Sequence, residues 1–118
     1  MAERIIEKKS FDFALEIIEL YRQLGEEREY VLSKQLLRSG TSIGANVHEA
    51  RAGQSRADFL AKMCIAAKEA RETHYWLRLL RESHLTAIDV STILDHAEEL
   101  VRILTAAVKT TSAPSQHL

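Results

Sequence analysis

Four stretches of this chain repeat apolar residues every three or four positions. That period predicts an all-α protein, an antiparallel up-down-up-down four-helix bundle. Turn residues are scarce as well. The 118 residues hold only 4 glycines and 1 proline, Pro114, which lies in the C-terminal tail. An all-β sandwich or barrel needs many more. Long helical stretches with short connections pack most simply as sequence neighbours running in opposite directions. With 46% apolar and 28% charged residues, the composition is that of an ordinary globular chain with room for one domain, 1–118.

The first helix is expected over about residues 10–25. Ser10 can cap it, because a hydroxyl accepts from the free amides of a first turn. Ala14, Ile17, Ile18, Tyr21 and Leu24 then recur at helical spacing, and Gly25 suits a left-handed stop. Phe11, Phe13, Leu15 and Leu20 fall partly outside that stripe, so this helix carries more apolar surface than one seam requires. The second helix is expected over 28–52, with Glu26 and Glu27 leading into it and favouring its positive end. Tyr30, Val31, Leu32, Leu36, Leu37, Ile43, Val47 and Ala50 form its apolar side. Its middle, Ser39-Gly40-Thr41-Ser42-Ile43-Gly44, is rich in residues that weaken a helix interior. Either the helix breaks there, or it continues and the small residues let a neighbour approach closely; the second is favoured.

Ser55-Arg56-Ala57-Asp58 resembles a capping box and opens a third helix over 56–82. Phe59, Leu60, Met63, Ala66, Ala67, Ala70, Leu77 and Leu80 trace its core stripe, and Cys64 lies in the apolar run Met63–Ala67 as a small buried side chain. Thr86-Ala87-Ile88-Asp89 repeats the capping pattern before a fourth helix over 87–109. There Val90, Ile93, Leu94, Ala97, Leu100, Val101, Leu104, Ala107 and Val108 follow a bundle seam. Residues 110–118 lose the period and are expected to fray.

Several chemistries are excluded or left without support. A single cysteine allows no internal disulfide and no multi-cysteine zinc site, which fits a reducing compartment. The opening residues are too charged for a secretory leader, and no apolar run approaches a membrane span, so the expected location is the cytoplasm. A di-iron bundle needs Glu-x-x-His pairs. Here His48, His74, His84 and His96 follow Ala45, Arg71, Arg81 and Ile93 instead, so no metal or other cofactor is expected. Gly40-x-x-x-Gly44 lacks the lysine and the strand of a phosphate-binding loop. Arg78 and His84 match the Arg-x(4–6)-His pattern of HEPN ribonucleases, in which the histidine moves a ribose proton and the arginine steadies a phosphate. The residue after that arginine is usually polar, and here it is Leu79.

The net charge of −1 is unevenly spread. Residues 1–29 and 82–118 are each acidic, while 30–81 hold nine basic and four acidic side chains. A positive middle between negative ends makes either a basic stripe or a charge match between subunits, with pairing between neighbouring helices as the simpler alternative.

Gln35-Leu36-Leu37-Arg38-Ser39-Gly40-Thr41-Ser42-Ile43-Gly44-Ala45-Asn46-Val47-His48-Glu49-Ala50 resembles the signature of a bacterial four-helix-bundle family, the proteins encoded in intervening sequences of 23S ribosomal RNA genes. Ser55–Phe59 and Ile65–Leu77 continue the match, which covers residues 10 to about 108. The resemblance implies a homo-oligomer, commonly a pentameric ring, without established catalytic residues. The accessory protein of diversity-generating retroelements is similar and binds nucleic acid as a basic pentamer beside its reverse transcriptase; the present pI of about 6.5 departs from that.

The expected function is therefore a non-enzymatic oligomeric scaffold working beside RNA, DNA or a nucleic-acid enzyme. The alternatives are an oligomer that contacts protein alone, or a ribonuclease using Arg78 and His84. Arg38, Arg51, Arg56, Lys62 and Lys68 are the candidates for phosphate contact. Asn46, Glu49, Glu69 and Glu72 are candidates for an interhelical polar network with Arg38 or Arg71, since buried charge needs a partner. Tyr75 and Trp76 are candidates for a subunit interface.

Overall fold

The computed structural model describes residues 2–112. They form four helices and no strand: α1 (Ala2–Glu26), α2 (Val31–Arg51), α3 (Arg56–Ser83) and α4 (Ser91–Ser112). The residues that meet across the seams fix the directions. Arg51 at the end of α2 reaches Glu7 near the start of α1, at 3.1 Å, whereas Gly40 of α2 packs on Ile17. Arg56 at the start of α3 donates to the Thr111 carbonyl near the end of α4, and His74 further along α3 meets Glu98 at 3.2 Å. Back along α1, Lys9 pairs with Glu99 and Glu16 with His96. One position rises as the other falls, so every helix opposes both neighbours and α4 closes the ring on α1. The resulting rod measures 56 × 23 × 21 Å.

The helix α1 begins at Ala2 rather than at Ser10. Ile6, two turns before Phe13, is buried and draws the first residues into the helix. Ser10 sits in mid-helix, fully buried, with its hydroxyl donating to the Glu7 carbonyl at 3.1 Å. The core stripe is Ile6, Phe13, Ile17, Leu20 and Leu24, rotated from the expected one, and this leaves Ile18 39% exposed. Gly25 is not a left-handed stop. That conformation falls on Arg28 (φ 62°), while Glu29 N–H bonds Leu24 O and Arg28 N–H bonds Gly25 O, closing the end as a Schellman motif.

The start of α2 is set by Glu29. Its carboxylate accepts from the amides of Leu32 (3.0 Å) and Ser33 (2.8 Å), the role expected of Glu26 and Glu27. Helix formation starts only after it, and Tyr30 and Val31 stand outside the core, 55% and 74% exposed. Through Ser39–Gly44 the helix is continuous. Ser39 and Thr41 return their hydroxyl protons to the carbonyls of Gln35 (2.9 Å) and Leu37 (2.6 Å). A Cβ on Gly40 would stand 2.7 Å from Ile17 Cγ1, and one on Gly44 3.2 Å from the Ser10 carbonyl oxygen. Small residues there admit α1 against the α2 backbone.

Ser55 caps α3 by accepting from the Asp58 amide at 3.1 Å, and His84 ends the helix in a left-handed conformation (φ 58°). The expected capping box before α4 is two local turns instead. Thr86 Oγ1 accepts from the Ile88 amide, and Asp89 Oδ1 accepts from Ser91 N–H at 2.9 Å, so α4 begins at Ser91. It continues through Ser112, across positions expected to fray, and 113–118 lie outside the described residues.

Candidate interaction surfaces

One interhelical polar cluster forms between α2 and α3. Arg38 extends across the seam to Glu72 and, at 3.4 Å, to Glu69, while the Trp76 indole N–H donates to Glu72 at 3.0 Å. The carboxylates are mostly covered and the guanidinium is half exposed. Beneath this clasp, Thr73 Oγ1 lies 2.9 Å from Ser39 Oγ and 2.8 Å from the Glu69 carbonyl, its one proton shared between these acceptors, and both side chains are fully buried. Arg38, Glu69 and Glu72 were foreseen as network members; Ser39, Thr73 and Trp76 were not. A 3-4 count marks Ser39 and Thr73 as inward-facing, but nothing in one sequence says that the two hydroxyls lie opposite each other. Asn46 turns back to Ser42 O at 2.8 Å within its own helix. Glu49 and Arg71 are exposed and take no part.

Three of the five cations named for phosphate contact are engaged within the chain. Arg38 is held in the clasp, Arg51 pairs with Glu7, and Arg56 donates to Thr111 O. Lys62, half buried, and Lys68, exposed, remain without an ion pair among the described residues.

Tyr75 and Trp76 meet edge to face, with centroids 5.2 Å apart and planes at 67°. Trp76 packs partly against the core, whereas Tyr75 is 55% exposed. A larger apolar surface lies on α1. Phe11, Leu15 and Ile18 follow each other at four and three residues and therefore share one face. Their exposures are 63%, 53% and 39%. The excess of apolar residues on this helix had signalled such a surface, but not which residues line it, because Phe13 and Leu20 turn inward.

Cys64 is exposed on α3, contrary to the small buried side chain expected. Solvent-side packing of the Met63–Ala67 turn decides this, since only Met63, Ala66 and Ala67 face the core. Arg78 lies on the exposed side of α3 and His84 at its left-handed cap, and no described interaction joins them. No group of three or more His, Cys, Asp or Glu side chains among the described residues could hold a metal ion. The surface depressions are shallow; one, lined by Glu16, Leu20, Gln23, Ile88 and Val90, follows the α1–α4 seam. The Asp89 carboxyl is held below its ordinary range, first by the Ser91 hydroxyl and then by the Ser91 amide, and this belongs to the start of α4 rather than to a reactive site. No described helix is long and apolar enough to cross a membrane.

A slender antiparallel bundle with a tight glycine seam and an exposed apolar row on α1 defines a class of small all-α proteins. Within that class, this chain belongs to the 23S rRNA-intervening sequence protein family, which matches residues 2–106. It is similar to a solved protein of unknown function from the S23 ribosomal protein family of Bacteroides thetaiotaomicron. The two share 47% identity over 92% of this chain and 99% of the other, with a TM-score of 0.85. Comparison with curated proteins gives no significant match.

Proposed function

We propose that this chain is a non-enzymatic scaffold that assembles with copies of itself through the outer face of α1. The observation that supports this reading is the row Phe11, Leu15 and Ile18, three large apolar side chains set in water on one helix face. Contiguous apolar surface of this kind marks association sites on small proteins. The expected assembly is a cytoplasmic homo-oligomer, and five subunits in a ring is the form the family resemblance implies. Contact with RNA or DNA through Arg38, Arg51 and Arg56 is disfavoured by their engagement within the chain. A ribonuclease reading finds no support in the separated Arg78 and His84.

Light scattering of the purified chain should give a mass several times 13.4 kDa. The double variant Phe11→Glu/Leu15→Glu should fall to the single-chain mass while keeping its helical circular dichroism. A wild-type protein that scatters as a monomer overturns the proposal, and an assembly indifferent to both substitutions removes α1 as its interface.

A further inference from the structure

The solvent face of α3 carries a second pattern. Cys64, Lys68, Arg71, Tyr75 and Arg78 follow at four, three, four and three residues, so they line one exposed side of the helix. Lys68, Arg71 and Arg78 form no ion pair with any described residue. The sequence does offer Lys68 and Arg78 an acid four residues on, while Arg71 has Tyr75 at that spacing. Glu72 stands four residues after Lys68, yet its carboxylate is taken by Arg38 and Trp76. Glu82 stands four residues after Arg78, yet it bonds Arg81 at 2.9 Å. Glu69, the remaining acid beside the row, is held by Arg38. The clasp between α2 and α3 thus engages Glu69 and Glu72, Arg81 engages Glu82, and the cations of this face are left unpaired.

We infer that this row is a docking surface for single-stranded nucleic acid, with Lys68, Arg71 and Arg78 on the phosphates and Tyr75 stacking on a base. The three cations span ten residues, roughly 15 Å along the helix axis. Tyr75 stands between them, and its edge contact with Trp76 keeps the ring oriented without covering it. Alternation of free cations with an exposed aromatic is the combination that binds single strands, because every unpaired base has a face to stack. A duplex would use the cations but offer no free base face to the ring, and an acidic peptide would leave it idle in the same way. The inference rests on α3 alone and is independent of assembly through α1.

The test is fluorescence anisotropy of the full chain with labelled single-stranded oligouridylate, oligothymidylate and a duplex of equal length, across a salt series. Single strands should bind more tightly than the duplex. With three phosphate contacts, log K should fall against log salt with a slope of about −2. Lys68→Gln/Arg71→Gln/Arg78→Gln should weaken binding at least tenfold and flatten that slope. Tyr75→Ala should cost about tenfold on single strands and little on the duplex. Arg102→Gln, on the exposed side of α4, should change nothing. These side chains are exposed, so all variants should keep wild-type melting temperatures. Preference between the uridylate and thymidylate arms says whether the strand is RNA or DNA. Absence of binding at low salt, equal affinity for duplex, or binding untouched by the triple variant overturns the inference. So does displacement of the oligonucleotide by polyglutamate together with an unaffected Tyr75→Ala variant, which would mark an acidic protein as the occupant.

Discussion

The helices α2 and α4 both pack against two neighbours, but by different means. The buried side of α2 is built from small groups, Ser33, Ser39, Gly40 and Ala50, around Leu36, Ile43 and Val47. It fits because backbones come close, and its polar atoms are bonded either within the helix or across to Thr73. The buried side of α4 is Ile93, Leu94, Ala97, Leu100 and Leu104, with polar pairs to Lys9, Glu16 and His74 only at the rim. Exposed pairs of that kind contribute about 0–1 kcal/mol each. Shape holds α2, whereas apolar area holds α4. The two helices should therefore fail under opposite kinds of substitution, α2 when volume is added and α4 when it is removed.

The largest effect is expected on α4. Leu100→Ala removes a fully buried side chain and should destabilise the protein by about 2–5 kcal/mol in urea unfolding. A loss well under 1 kcal/mol would mean that the seam closes around the gap, and the contrast with α2 would weaken. On α2 the sharper test adds a single methyl. Gly40→Ala places a Cβ within 3 Å of two atoms of Ile17, itself fully buried. The expected cost is about 1–3 kcal/mol, against the usual preference for alanine in a helix. Gly25→Ala supplies the control, because nothing lies within 4 Å of its Cβ. That substitution should stabilise by up to about 1 kcal/mol. If both changes raise the melting temperature, close approach is not what keeps Gly40 small.

The buried hydroxyl pair gives a smaller and more specific effect. Thr73→Val removes the donor to Ser39 and should cost about 1 kcal/mol. Adding Ser39→Ala should recover most of that loss, because no buried hydroxyl then lacks a partner across the seam. Additive losses in the double variant would mean that each hydroxyl matters only to its own helix.

The same contrast explains what the sequence made legible. The large apolar residues of α4 follow a clean 3-4 period, so its stripe is readable from one chain. The glycine-rich centre of α2 was readable as a close-packing site, because glycine and serine at helical spacing have few other uses inside a continuous helix. The first turns of α1 were not readable. Ser10 looks like a cap to any local rule, and only the burial of Ile6 and the fit of Ser10 against Gly44 decide otherwise. The start of α4 failed for a related reason: Thr86 and Asp89 satisfy a capping pattern in sequence but spend their oxygens on turns of two residues. Among the surface candidates, individual residues were legible but their partners were not. Arg38 with Glu72 and Arg51 with Glu7 meet across seams whose register is set by the whole core.

The smallest prediction concerns the entry to α4 and has a definite sign. The Asp89 carboxylate accepts from the Ser91 hydroxyl and amide, and those bonds hold its folded pKa below the ordinary aspartate value of about 3.9. A group whose pKa is depressed by folding contributes stability above its unfolded value and loses it as pH falls through the folded one. Wild-type protein should therefore exceed Asp89→Ala in urea midpoint by a constant margin near neutrality. That margin should close on acidification below the ordinary aspartate range. Because Asp89 is exposed, the margin should be slight and confined to the first turn, visible as faster amide exchange at Leu94, whose N–H bonds Val90 O at 2.9 Å. A margin that persists in strong acid would show that the substitution acts through loop packing around Ile88 and Val90 rather than through the carboxylate. The weak point of α4 would then be its apolar entry, as it is along the rest of that helix.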